Sequence, residues 1–360
     1  MLSPTADTEI RTPSPERQVR TAFSEALDGF DASRPILLVS HNDTDGLSAL
    51  AILSKALERA GRPAEAQVLG RGESPWSADT AARLRAREPG GVMLLDLGLR
   101  DGPIGWNAPT LVIDHHVPRG SPTVAAITGW RMDPIPTTSL LAWWCAHELT
   151  EADDLLWLAA LGLVGDMAED AGFAEMAEAR RRYGVTALRQ ASSLLNAGRR
   201  SASGDAGPAL ALLLKGAGPK DVTSGRFPET EALLAAKTEV AQALDRAKRI
   251  GPVVRGGVAL IGFSSACQIH PLVAQQWRGR LKNEIVLAAN FGFRPGWVHF
   301  AARTARDIDL IEFLARHAPA GADENYGSGH VKATGGALRP ADWNAFVRGL
   351  GFGPEQEFPQ

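Results

Sequence analysis

Four apolar runs of this chain end in acidic side chains, and that pattern constrains the fold more tightly than any other feature. Ile36–Val39 leads into S-H-N-D-T-D-G at 40–46, Val92–Leu95 into Asp96, Leu111–Ile113 into D-H-H at 114–116, and L-A-A-L-G-L-V-G at 158–165 into Asp166. Aspartate is disfavoured in strands, and a buried unpaired carboxylate costs several kcal/mol. Repeating it at the exits of core elements requires a compensating positive charge.

The surrounding pattern says where those exits meet. Ile36–Val39, Ala66–Leu69, Val92–Leu95, Leu111–Ile113 and Val124–Ile127 are short and lack polar alternation, as strands covered on both faces do. Leu47–Ala60 has apolar residues at helical spacing and stops at Gly61 with Pro63 beyond; Thr137–His147 and Ala152–Val164 are further apolar helices. Strand and helix in alternation predict a parallel α/β sheet, whose carboxyl ends open onto one crevice. The four acidic segments are expected to converge there.

Beyond Gly184 the rhythm changes to helical pieces, Leu210–Leu214 and Glu229–Arg249, separated by glycine- and proline-bearing breaks. Strands resume at Val258–Phe263, Glu284–Asn290 and Trp297–Arg303, with helices at Pro271–Leu281, Ile308–His317 and Pro340–Gly349. The 360 residues therefore divide into a disordered lead-in at 1–20, a parallel-sheet α/β domain at 21–185, a helical connector at 186–250 and a smaller α/β domain at 251–360. No stretch approaches the roughly 20 apolar residues that span a bilayer, so no membrane partner is expected. Cys145 and Cys267 sit in apolar settings and read as two buried free thiols, which suits a cytoplasmic location. A net charge of −3 gives no wide basic groove, so an anionic substrate must be held locally.

What neutralises the acidic ends is the chemical question. The glycine of H-N-D-T-D-G falls where a calcium loop needs it, but the twelfth position is Ile52 and not a bidentate glutamate, so that reading fails. A solvated turn capping the next helix accounts for Asn42, Asp43 and Asp45 alone, not for the other three segments. No lysine or arginine adjoins the motifs in sequence; Lys55, Arg100 and Arg119 are the nearest. Metal ions remain. Carboxylates and imidazoles without thiolates suit manganese or magnesium better than structural zinc, and the set is larger than one octahedral ion needs. Two ions, about 3.5–4 Å apart and bridged by a shared carboxylate, would use it.

Taken together, H-x-D-x-D-G at 41–46, Asp96, D-H-H at 114–116 and Asp166 resemble the four motifs of the DHH phosphoesterase superfamily, and Y-G-S-G-H-V-K-A-T-G-G-A-L at 326–338 resembles the glycine-rich motif of its DHHA1 domain. The resemblance covers about residues 34–170 and 250–350. It implies a DHH catalytic domain joined by the helical connector to a DHHA1 substrate-binding domain. It also implies that His41, Asp43 and Asp96 hold one Mn2+ (or Mg2+), and that Asp45, Asp96, His115 and Asp166 hold another. Asp114 would orient a histidine, and His116 would face the reacting phosphate. Arg303 and the segment with Gly327, Ser328, Gly329, His330 and Gly335, read as a loop, would bind the substrate's terminal phosphate or nucleotide. Two departures, Ser328 in the glycine run and the absence of asparagine after Asp166, bear on substrate choice.

The implied activity is a two-metal phosphodiesterase acting on short oligonucleotides or single-stranded nucleic-acid ends, with a homodimer as a further expectation for its assembly. RecJ-like 5′–3′ exonuclease action on single-stranded DNA, cyclic-dinucleotide hydrolysis, and a non-catalytic nucleic-acid-binding scaffold are the competing expectations. The H-x-D-x-D-G form leans towards RecJ, and the compact length leans towards short substrates. A haloacid-dehalogenase-like phosphatase, which also carries D-x-D-G after a strand, would leave D-H-H unexplained.

Overall fold

A computed structural model describes residues 14–101, 104–120, 123–322 and 326–358. In chain order its elements are α1 (Pro15–Asp28), β1 (Ile36–Ser40), α2 (Thr44–Arg59), β2 (Ala64–Val68), α3 (Ala78–Arg85), β3 (Gly91–Leu95), β4 (Thr110–Asp114), β5 (Ala125–Thr128), α4 (Thr138–Leu149), α5 (Leu156–Gly165), α6 (Ala174–Tyr183), α7 (Val185–Arg200), α8 (Gly207–Lys215), α9 (Pro219–Thr223), α10 (Pro228–Ala247), β6 (Val253–Arg255), β7 (Val258–Phe263), α11 (His270–Arg280), β8 (Ile285–Arg294), β9 (Trp297–Thr304), α12 (Leu310–Arg316), β10 (Ser328–His330), β11 (Ala333–Leu338) and α13 (Pro340–Gly349).

The first five strands form one parallel sheet in the order β2-β1-β3-β4-β5. Alternate side chains explain why these strands look apolar throughout. Ile36, Leu38, Met93, Leu95, Leu111 and Ile113 face the large helical layer, while Leu37, Val39, Val92, Leu94 and Val112 pack with Ala81 and Leu84 of α3 on the other face. The chain leaves β1 for β2 on one side and returns to β3 on the other. That reversal opens a crevice at the carboxyl ends of β1 and β3, where ligands bind in such sheets.

The second sheet is mixed, in the order β10-β11-β9-β8-β7-β6, with β7 and β8 parallel and the other neighbours antiparallel. Its one face packs on α12 and α13 through Phe300, Leu314, Trp343 and Phe346, and its other on α11 through Ile261, Val286 and Val273. The connector helices bind the halves together: Leu188 and Leu212 lie in the first core, and α10 places Leu233 there but Val240, Ala243 and Ala247 in the second.

Three expectations change. Of the lead-in, residues 1–13 lie outside the described residues, but Pro15–Asp28 is helical, capped by the Ser14 hydroxyl and burying Val19, Phe23 and Leu27. The connector includes α7 and the short α9, two helices beyond the two expected there. The glycine-rich segment is not a loop: it is the β10–β11 hairpin on the edge of the second sheet. Cys145 and Cys267 are both buried and free, and no helix among the described residues is long and apolar enough to cross a membrane.

Candidate metal centre

Local geometry accounts for each acidic motif. Asp43 is the N-cap of α2 and accepts from the Gly46 N–H at 3.1 Å; a Cβ on Gly46 would lie 2.6 Å from the His41 carbonyl oxygen, so the turn requires glycine. Asp45, fully buried two residues later, reaches across to α4 and accepts from the Thr138 and Ser139 N–H groups at 2.8 and 3.0 Å. The Thr137 side chain makes no cap there, and the Asp45 carboxyl accepts from the free N–H groups of the helix start in its place. Asp96 follows β3 with φ of 63°, a conformation aspartate tolerates better than most residues but still at some cost. Asp114 ends β4, and Asp166 is the C-cap of α5.

These elements bring the expected ligands together. His41 Nδ1 lies 3.0 Å from Asp43 Oδ2 and 3.5 Å from Asp96 Oδ2. His115 Nε2 lies 3.1 Å from Asp166 Oδ2, 3.5 Å from Asp96 Oδ1 and 3.8 Å from Asp45 Oδ2. His41, Asp43 and Asp96 form one group with ligating atoms within 4.8 Å of one another, and Asp45, His115 and Asp166 form a second. Asp96 turns one oxygen towards each. Thr138 Oγ1 donates to Asp96 Oδ1 at 3.1 Å and fixes that orientation. This donor set fits a pair of divalent ions: it is rich in oxygen, has one imidazole per group and no thiolate, and buries Asp45 and Asp96 almost completely without a full complement of cations.

The electrostatics follow from this crowding. Burial, then the Asp96 and Asp166 charges, raise Asp45 to about 8. Burial works against charge on His41, yet Asp43 and Asp96 outweigh it and raise the imidazole to about 10. His115 is likewise raised despite its burial, by Asp166, Asp96 and Asp45. Protons on these groups balance the crowded carboxylates, and divalent cations would compete with them for the same atoms.

Asp114 and His116 stand beside it. Burial disfavours the Asp114 charge, but His116, His115 and the Gly98 N–H, which donates to Oδ2 at 2.8 Å, hold the carboxyl down at about 2. Its two oxygens meet His116 twice: Oδ1 accepts from the His116 backbone N–H at 2.7 Å and Oδ2 lies 3.2 Å from Nδ1. The imidazole is thereby oriented. His330, from β10, stacks on His116 with centroids 4.9 Å apart, and Arg119 donates to the Tyr326 carbonyl at 2.8 Å, so the edge hairpin of the second sheet seats against the D-H-H motif. Gly327 and Gly329 have φ of 72° and 125°, and a Cβ on Gly335 would lie 2.4 Å from the Phe300 carbonyl oxygen; these glycines let the hairpin form and pack. Nothing is described of the Ser328 side chain.

The cations that do come near carry no mark in the sequence. Arg199 at the end of α7 places Nη2 3.7 Å from Asp43 Oδ2, which amends the view that no arginine attends the motifs. Arg200 feels the charges of Arg199 and Arg303, and His270 those of His299, Arg303 and Arg199. Burial and Arg199 lower Arg200 to about 9, burial and Arg278 lower Arg303 to about 10, and burial with His299, Arg303 and Arg199 pushes His270 well down. His270 is 5% exposed with Nδ1 unpartnered, and Arg303 Nε is also buried without a partner. Buried donors held among like charges are suited to an anion. Arginines at a helix end are too ordinary in sequence to have marked it.

No family model and no curated protein matches the chain. Among solved structures, RecJ from Thermus thermophilus in complex with Mn2+ superposes with a TM-score of 0.69 at 17% identity over 92% of this chain and 54% of that one. An exonuclease RecJ bound to manganese gives 0.61 at 19% over 92% and 93%, and the DHH domain of a protein described as a member of a family of ribosomal proteins gives 0.68 at 16% over 94% and 92%. The chain spans about half the length of the Thermus thermophilus protein. It shares the fold of these RecJ and DHH-domain structures: a five-stranded parallel sheet followed by a separate mixed sheet.

Proposed function

We propose that this chain is a divalent-metal-dependent phosphodiesterase of DHH type that hydrolyses short oligonucleotides or single-stranded nucleic-acid ends to mononucleotides. The observation that carries this reading is the Asp96 carboxylate, which directs Oδ2 to the His41 group and Oδ1 to the His115 group at equal distances of 3.5 Å. A carboxylate so placed is a bridge between two cation positions.

In this reading His41, Asp43 and Asp96 hold one ion and Asp45, Asp96, His115 and Asp166 the other. When bound, the pair supplies a water acidified towards neutrality and offsets charge on the phosphoryl oxygens. Manganese or magnesium fits the donor set, and the Thermus thermophilus RecJ structures hold Mn2+ in one case and Mg2+ in another. His116, steered by Asp114, faces the reacting phosphate and donates to an oxygen whose charge grows during attack. Arg199, Arg200, His270 and Arg303 hold the terminal phosphate beside Asp43, and this anchoring sets which phosphodiester lies over the centre. Two buried free thiols agree with a cytoplasmic setting.

The likeness to RecJ favours a second reading, exonuclease action on long single strands. Cleavage rates with manganese on a dinucleotide, a long single strand and a cyclic dinucleotide separate the options. The expected order places the dinucleotide first; faster hydrolysis of the long strand supports the exonuclease. No hydrolysis of any of the three refutes an enzyme and revives a scaffold.

A further inference from the structure

Met167 sits one residue past Asp166 and is unfavourably placed in two respects. Helix α5 ends in a Schellman turn, with the Met167 N–H donating to Val164 O at 3.2 Å and the Ala168 N–H to Leu163 O at 2.8 Å. This turn puts its C′ residue in the left-handed region, the usual place for glycine, and here methionine takes it with φ of 60°. The side chain is also 63% exposed, more than any other large apolar residue exposed among the described residues. Folding and solubility would both be better served by glycine. Strain and exposure kept together next to a ligand group point to function.

The surroundings say what the thioether would meet. Helix α11 of the second half faces it, with Gln275 Nε2 3.8 Å from Met167 Sδ, while Gln275 Oε1 is buried without a partner. Gln275, Arg278 and Lys282 line a cavity of about 150 Å3 on the same helix side. A polarisable thioether packs well on an aromatic ring, an unpaired amide oxygen accepts from an amino group, and two cations suit a phosphate.

We infer that Met167 and Gln275 form the seat of a nucleobase flanking the scissile phosphate, with the base on the thioether, an exocyclic amino group on Gln275 Oε1, and Arg278 and Lys282 beside the next phosphate. Met167 is then a specificity residue. The inference rests on the phosphodiesterase reading of the metal centre.

The test compares kcat/KM for a dinucleotide with that for the same dinucleotide made abasic at one position or the other, with manganese. The unmodified protein is expected to prefer the base at one position by about tenfold or more, the range that base stacking supplies. Met167→Gly should cut this preference to about threefold or less through KM, yet raise the melting temperature by about 2 °C because the left-handed strain is gone. Met167→Leu should keep most of the preference. An equal preference in the unmodified protein and Met167→Gly overturns the inference while leaving the reading of the centre intact. Hydrolysis by the unmodified protein of neither these substrates nor a long single strand overturns the reading of the centre and the inference with it.

Discussion

His116 and His330 stack face to face at 4.9 Å with 24° between their planes, although one follows the parallel sheet and the other lies on the edge of the mixed sheet. His330 has its basicity lowered to about 3 by burial and then by its neighbours His116 and His115. A neutral ring lies against one held charged by Asp114. The contact ties the edge hairpin of the second sheet to the D-H-H motif.

Asp96→Asn should weaken both metal positions together, because its two oxygens serve both groups. Each dissociation constant for Mn2+ is expected to rise at least tenfold, measured by calorimetric titration, since even residues behind the ligands are worth roughly 10–100-fold. Loss at one position with the other unchanged would contradict the bridge.

Arg303→Gln should leave a dinucleotide without a terminal phosphate little affected, but lower kcat/KM for its terminally phosphorylated form by roughly 10- to 100-fold, the worth of one charge-assisted hydrogen bond. Equal losses on both would mean that Arg303 does not hold the terminal phosphate.

Gly162→Ala should destabilise the fold by about 1–3 kcal/mol and reduce metal affinity with it. A Cβ at this position meets Ser139 Oγ at 2.0 Å and Asp45 Oδ1 at 2.2 Å, so the Asp45 carboxylate must move off the α4 amino end. An unchanged urea midpoint would show that α5 yields more easily than its packing suggests.

His270 gives a pH signature. Its pKa in the folded chain lies well below the ordinary 6.5, so below pH 6.5 the unfolded chain takes a proton that the folded one refuses. The contribution is intact above pH 6.5 and is lost as pH falls, at about 1.4 kcal/mol per pH unit. Replacing His270 with glutamine removes this slope. The stability of the unmodified protein relative to His270→Gln should therefore fall between about pH 6.5 and 5.5; a flat difference would mean that the folded imidazole charges freely.

Much of the fold was legible because its signals are local. Each strand of the parallel sheet is an apolar run covered on both faces, and each expected metal ligand stands within a residue or two of where such an element ends or begins. What the chain hides is what depends on distant neighbours. Arg199 looks like any arginine at a helix end until folding brings it to Asp43. Gly335 lowers strand propensity in sequence, yet sits within a strand because Phe300 leaves no room for a side chain. Helix α1 did carry a signal, Ser14 before Pro15 with Val19, Phe23 and Leu27 at helical spacing, but the charges around it read as irregular chain.

Helix α10 is about 30 Å long and has its start embedded in one core and its end in the other. It behaves as a strut and not as a tether. The two sheets cannot move apart without unseating Leu233 at one end or Val240 and Ala243 at the other, so their spacing is set by the connector itself.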